Sequence, residues 1–262
     1  MSATTTYIDG LAYRVVGAGP RTLTCLHSLA LSGQWFLPLA EELGEEYRLV
    51  LPDLRGHGAS PVGDRPVSLG ALADDVVTLW DHLDIADSHV LGISMGGMVA
   101  QALAARHPDR VDDLVLIATT ASYDEAARAG AQQRADAVRE PGGIAAMAGV
   151  VLSRWFSEED DPALAARARE ELLSADPQVH AALLEAMTHV GAFRLDENPP
   201  ATLVLGGTED TSTPRAVVTA LAQAIPGSIL DFVPGGHLTA FTHPAASASR
   251  IHAFLDRTNG ER

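Results

Sequence analysis

A serine, a carboxylate and a histidine stand in this chain in settings from which acyl transfer can be run. Gly92-Ile93-Ser94-Met95-Gly96 has the spacing G-x-S-x-G, between an apolar run ending at Leu91 and a helical run from Met95 onward. A serine on so sharp a strand-to-helix turn is held in strained backbone geometry, and the flanking glycines leave room for neighbouring elements to approach. The start of the following helix adds amide donors and a positive dipole end, which suit a developing oxyanion. Downstream, the run Thr202 to Leu205 leads into Gly206-Gly207-Thr208-Glu209-Asp210, with Pro214 at a helix start. A carboxylate just beyond a strand end, Asp210, can accept a hydrogen bond from a histidine ring, fix its tautomer and stabilise the imidazolium. Glu209 is its local rival, and capping of the next helix is the other use of Asp210. His237 follows the last strand in Val233-Pro234-Gly235-Gly236-His237-Leu238. Of ten histidines it alone has this post-strand, glycine-preceded position, and it is the candidate base. An oxyanion needs two backbone donors, one from the residue after the nucleophile and one from the loop after an earlier strand. Met95 and Leu29, the latter in His27-Ser28-Leu29-Ala30, fill those places.

The elements that must position these residues are legible as alternating periods. Strands are expected at Thr5 to Ile8, Leu11 to Val16, Thr22 to Leu26, Tyr47 to Leu51, Ser88 to Gly92, Leu114 to Ala118, Thr202 to Leu205 and Ser228 to Val233. The first two flank the turn dipeptide Asp9-Gly10 and form an antiparallel hairpin. Helices are expected near Gln34 to Leu43, Ser68 to Leu83, Met95 to His107, Arg215 to Ala224 and Pro244 to Arg257. Such alternation predicts an α/β fold: a mostly parallel eight-stranded sheet flanked by helices. Between residues 121 and 199 the chain turns Ala-, Arg- and Glu-rich and reads as consecutive helices without a convincing strand. This divides the chain into a core at 1–120 and 200–262 and an inserted helical cap at 121–199.

Composition narrows the function classes. A chain of 262 residues supports one large domain, and a formal charge of −16 argues against a nucleic-acid partner. No apolar run is long enough to span a bilayer and no secretory leader is apparent at the start, so no membrane partner and a cytoplasmic location are expected. The lone cysteine, Cys25, lies in the apolar run Thr22 to Leu26 and reads as strand core. The Gly-rich stretch Asp53-Leu54-Arg55-Gly56-His57-Gly58-Ala59-Ser60 reads as a structural loop whose charges tie adjacent elements.

Together, Asp53 to Ser60, Gly92 to Gly97, Gly207 to Pro214 and Gly235 to His237 make the chain resemble the α/β-hydrolase superfamily over nearly its full length. That superfamily places Ser, acid and His in this order, and the offset of Asp210 from its strand and from Pro214 matches its pattern. Within it the chain is similar to the 3-oxoadipate enol-lactonase group, on Ser28-Leu29, Gly97-Met98-Val99-Ala100-Gln101 and the cap residues Arg134, Trp155 and Phe156. The resemblance implies a small cyclic enol ester bearing a carboxylate, with Arg134 placed to meet that charge and Trp155 and Phe156 near the substrate. Relatives often carry tryptophan three residues before that arginine, where this chain has Ala131. The expected activity is hydrolysis of a small-molecule ester or lactone with no metal and no organic cofactor, since the triad itself supplies nucleophile and proton transfer. The same residues also suit a carbon–carbon bond hydrolase, a cofactor-free perhydrolase, a biosynthetic acyltransferase or cyclase, or a ligand-binding protein on a hydrolase scaffold. Assembly into a homo-oligomer stays open.

Overall fold

A computed structural model describes residues 4–195 and 198–260. Continuous runs of Leu, Val and Ile, apolar on both faces, can be stable only inside a sheet covered on both sides. They form β1 (Thr6–Ile8), β2 (Leu11–Val16), β3 (Arg21–Leu26), β4 (Tyr47–Pro52), β5 (Ser88–Ile93), β6 (Val111–Ile117), β7 (Ala201–Gly207) and β8 (Ile229–Val233). The eight strands make one sheet in the order β1-β2-β4-β3-β5-β6-β7-β8. β1 pairs antiparallel with β2 and β2 with β4, and the remaining pairings are parallel.

Helices α1 (Leu37–Leu43), α2 (Leu69–His82), α3 (Met95–Arg106), α8 (Arg215–Ala224) and α10 (Pro244–Gly260) connect or flank the strands. α4 (Glu125–Arg139), α5 (Gly143–Trp155), α6 (Pro162–Ser174) and α7 (Pro177–Met187) come one after another between β6 and β7, and a single turn, α9 (Thr239–Thr242), precedes α10. Starts follow local chemistry: Ser68 Oγ accepts from the Ala71 amide at 3.1 Å to begin α2, and Asp176 accepts from Gln178 and Val179 to begin α7.

Two expectations need adjusting. The helix expected from Gln34 is broken into a tight turn at Gly33–Phe36 and then α1, because Pro38 sits in the first turn of α1 and could not lie inside a longer helix. β6 begins three residues early, at Val111, because the polar Asp113 within it is fully buried and accepts from Thr258 Oγ1 at 3.0 Å. Leu23, Val90, Leu91, Leu114, Val115, Leu116 and Val204 are completely shielded at the sheet centre, each contributing about 1.5–3 kcal/mol relative to exposure.

β3 has β4 on one side and β5 on the other, so the connections leave it in opposite directions. The crevice outside the carboxyl ends of β3 and β5 is where an open α/β sheet binds ligands, and the loops carrying Leu29 and Ser94 end there.

Candidate active site

Ser94 follows β5 directly and opens α3, with φ 54° and ψ −117°, a left-handed conformation that a residue bearing a Cβ adopts only under constraint. Its surroundings supply the constraint. Ser94 N–H donates to Ile117 C=O at 2.9 Å, and Ser94 C=O accepts from Thr119 Oγ1 at 2.8 Å. Close approach explains the glycines: a Cβ on Gly96 would lie 2.0 Å from the Leu26 carbonyl oxygen, and one on Gly92 2.3 Å from that of Gly96. The first turn of α3 is thus pressed against the end of β3, with Leu29 three residues beyond Leu26.

Ser94 Oγ lies 2.8 Å from His237 Nε2, and His237 Nδ1 lies 2.9 Å from Asp210 Oδ2. An ionised carboxylate only accepts, so Nδ1 carries the proton in the neutral ring and Nε2 accepts from the serine hydroxyl. These groups come from the ends of β5, β7 and β8, joining positions 94, 210 and 237 into one hydrogen-bonded chain. His237 and Asp210 side chains are nearly fully buried.

Asp210 is satisfied on both oxygens: Oδ1 accepts from the amides of Ser212 at 2.7 Å and Thr213 at 2.9 Å, and Oδ2 from Thr213 Oγ1 as well as His237. Burial pushes its pKa up, but the hydrogen bonds and charge of His237 and the donors of Thr213 outweigh it, so Asp210 sits below the ordinary carboxylate value. Glu209, the rival carboxylate, is exposed. Sequence reading missed Thr213; the signal was the short spacing Asp210-x-x-Thr213 ahead of Pro214, which lets the hydroxyl turn back onto the carboxylate.

Leu29 and Met95 are both buried, and neither amide donates to a loop or side-chain acceptor among the described residues. Backbone N–H groups free of other acceptors and close to a serine hydroxyl can donate to a developing oxyanion. The loop that carries Leu29 is stiffened by His27, whose Nδ1 meets Ser28 C=O at 2.8 Å while Nε2 accepts from Leu54 N–H at 2.8 Å. The Asp53 to Ser60 loop does tie elements together: Asp53 accepts from Arg14, Gly33 N–H and Ala59 N–H, and buried Arg55 pairs with Asp75.

Trp155 ends α5 against the histidine loop, its carbonyl accepting from Leu238 N–H at 3.4 Å. Phe156 next to it is half-buried and packs on the core. The neighbouring Arg154 carbonyl meets Ser212 Oγ at 3.5 Å, so the end of α5 touches the loops that carry both Asp210 and His237. Arg134, on α4, is half-buried. Burial lowers its pKa, the nearby Tyr123 raises it and Arg154 lowers it further. Among the described residues it has no carboxylate partner. Cys25 is fully buried in β3, where burial raises the thiol pKa, and lies outside this arrangement. Among the described residues no helix is long and apolar enough to cross a membrane.

The family model described as alpha/beta hydrolase fold matches residues 21–142. The chain is 31% identical to 3-oxoadipate enol-lactonase 2 of Acinetobacter baylyi, over 82% of this chain and 81% of that one. It is 33% identical to the pimeloyl-[acyl-carrier protein] methyl ester esterase of Chromobacterium violaceum, over 89% and 93%. The enol-lactonase structure from Burkholderia xenovorans superposes with a TM-score of 0.83 at 28% identity, covering 97% of this chain and all of the other.

Proposed function

The chain belongs to the α/β-hydrolase family and is an ester or lactone hydrolase, and we propose that it works through an acyl-enzyme formed on Ser94, with His237 as base and Asp210 orienting it. The observation that carries this reading is the unbroken hydrogen-bonded chain from Ser94 Oγ through His237 to Asp210. As Ser94 Oγ attacks the carbonyl carbon, its proton passes to His237 Nε2, and the imidazolium is held by the Asp210 carboxylate. Charge gathers on the former carbonyl oxygen and is taken up by the amides of Leu29 and Met95. Collapse of the adduct breaks the carbon–oxygen bond of the leaving group, which takes the proton from His237. In a lactone the leaving oxygen stays tethered to the acyl chain. Water then attacks the acyl-enzyme, losing a proton to His237, and the acid departs as Ser94 recovers its proton.

α4 to α7 act as a cap over this site, and the substrate is a small ester or lactone. Within that class we favour a carboxylate-bearing enol lactone, supported by half-buried Arg134 and by the enol-lactonase relatives. Trp155 and Phe156 then form wall beside the reacting carbonyl. The test is hydrolysis of neutral aryl esters, simple lactones and carboxylated enol lactones by the wild type and by Arg134→Ala. Preference for the carboxylated lactones, lost in the variant through a raised KM, supports the narrower reading. Neutral esters winning with Arg134 irrelevant leaves the general hydrolase reading alone.

A further inference from the structure

The loop that carries Leu29 is fastened to the sheet domain by His27 and by the bond from Gly33 N–H to Asp53 Oδ1 at 2.8 Å. A third fastening comes from the helical insertion. Glu171, on α6, accepts from Ser32 Oγ at 3.0 Å through one oxygen and from Trp35 Nε1 at 2.9 Å through the other. Ser32 and Trp35 lie just beyond Leu29 in the same segment, which also holds Ala30 at φ 63°. Arg167 sits one turn before Glu171, 3.3 Å from its carboxylate, and lies over the Trp35 ring at 4.2 Å.

A cavity of about 530 Å³ runs beside this contact, bordered by Gln34 and His57 from the sheet domain and by Glu171 and Val179 from the insertion. Ala168 and Leu172 of α6 and Leu31 and Trp35 of the loop are buried in the same core, and Glu171 lies at the edge of the open space. The Glu171 carboxylate is the polar tie between α6 and this segment. It is also only partly shielded, so it can release as well as hold.

We propose that Glu171 is a positioning residue through which docking of the helical insertion sets the Leu29 amide for the oxyanion. The proposal rests on the acyl-transfer reading above. Its action is through Ser32 and Trp35: with the carboxylate in place the segment after β3 is held from the sheet side and from α6, and without it the loop is held from the sheet side only. Displacement of one oxyanion donor by a fraction of an ångström weakens binding of the tetrahedral adduct while leaving ground-state binding nearly unchanged.

The test compares Glu171→Ala, Glu171→Gln and the Ser32→Ala, Trp35→Phe pair with the wild type on p-nitrophenyl acetate, each preparation titrated with a fluorophosphonate so that kcat refers to competent sites. Expected are a fall in kcat of about tenfold for Glu171→Ala, KM within about twofold, and a smaller loss for Glu171→Gln, which keeps one acceptor oxygen. Affinity for a boronic acid that mimics the tetrahedral adduct falls by the same factor as kcat. Removing Ser32 and Trp35 donors in the Glu171→Ala background adds little, since the partners are already lost. Unchanged kcat per titrated site in Glu171→Ala overturns the proposal. If that variant does not fold, the Ser32→Ala, Trp35→Phe pair decides in the same way from the other side of the contact. A wild type that neither labels nor hydrolyses removes the acyl-transfer reading and this proposal with it, whereas an active wild type with unaffected variants removes this proposal alone.

Discussion

Lowering the pH from 7 to 5 should strip this fold of much of its stability, because three imidazoles are buried in their neutral form. Burial pulls the pKa of His27 down to about 4, against a smaller upward pull from the Ser28 carbonyl. Burial and then the neighbouring His27 take His57 to about 3, the two rings lying 5.0 Å apart. Burial and then His57 take His180 to about 4. A histidine whose folded pKa is depressed contributes its full stability above about 6.5 and loses it as pH falls from there toward the folded value, since only the unfolded chain takes up the proton. At pH 5 each unfolded imidazole is protonated and each folded one is not, which costs about 2 kcal/mol per residue and about 6 kcal/mol in all. Carboxylates with unfolded values near 4 barely titrate in this window, so the effect belongs to the histidines. Urea unfolding followed by tryptophan fluorescence at pH 7 and pH 5, at fixed ionic strength, measures it. His180→Leu removes a ring whose Nδ1 has no partner among the described residues, and should reduce the pH-dependent loss to about 4 kcal/mol. A change below about 1 kcal/mol in the wild type would refute the reasoning.

Other outcomes follow from the site. Asp210→Asn should keep the fold and lower kcat by about 10³- to 10⁴-fold, measured on a reactive aryl ester, because an amide in place of the carboxylate favours the wrong tautomer of His237. Thr213→Val removes the hydroxyl donor to Asp210 Oδ2 and should destabilise by about 1–2 kcal/mol at pH 7 in urea titrations. Since Asp210 is depressed below its ordinary value, that deficit should vanish as pH falls through its range and the carboxyl protonates in both proteins. Gly96→Ala drives a methyl to 2.0 Å from the Leu26 carbonyl oxygen and 2.7 Å from that of His27, and should cost at least about 3 kcal/mol or prevent soluble expression.

The parts of the site readable in the sequence are those fixed by a local context. Ser94 is flagged by glycines at both sides between a strand and a helix, His237 by its position after the last strand, and Asp210 by its distance from a strand end and from Pro214. Apolar runs against helical periods likewise give the eight strands, since period and burial are properties of short segments. Boundaries shifted where a single residue changed the local rule, as Pro38 does at α1 and buried Asp113 does in β6. What sequence did not yield was the company these residues keep. Glu171 looks like one more acid on a charged helix, and its partners Ser32 and Trp35 lie 139 and 136 residues away. His27, His57 and His180 come from separate stretches as well, and only the folded chain places His57 near both His27 and His180. Arg134 shows the reverse: the resemblance singled it out, and the structure adds that it is half-buried and, among the described residues, without a carboxylate partner.

The central claim is that Ser94 is the nucleophile, and reaction with a fluorophosphonate followed by peptide mass spectrometry tests it most directly. The account predicts a single adduct on the Ser94 peptide, loss of ester hydrolysis in step with labelling, and neither labelling nor turnover in a folded Ser94→Ala variant. Full turnover by Ser94→Ala, or an adduct on another residue that abolishes activity, would contradict it.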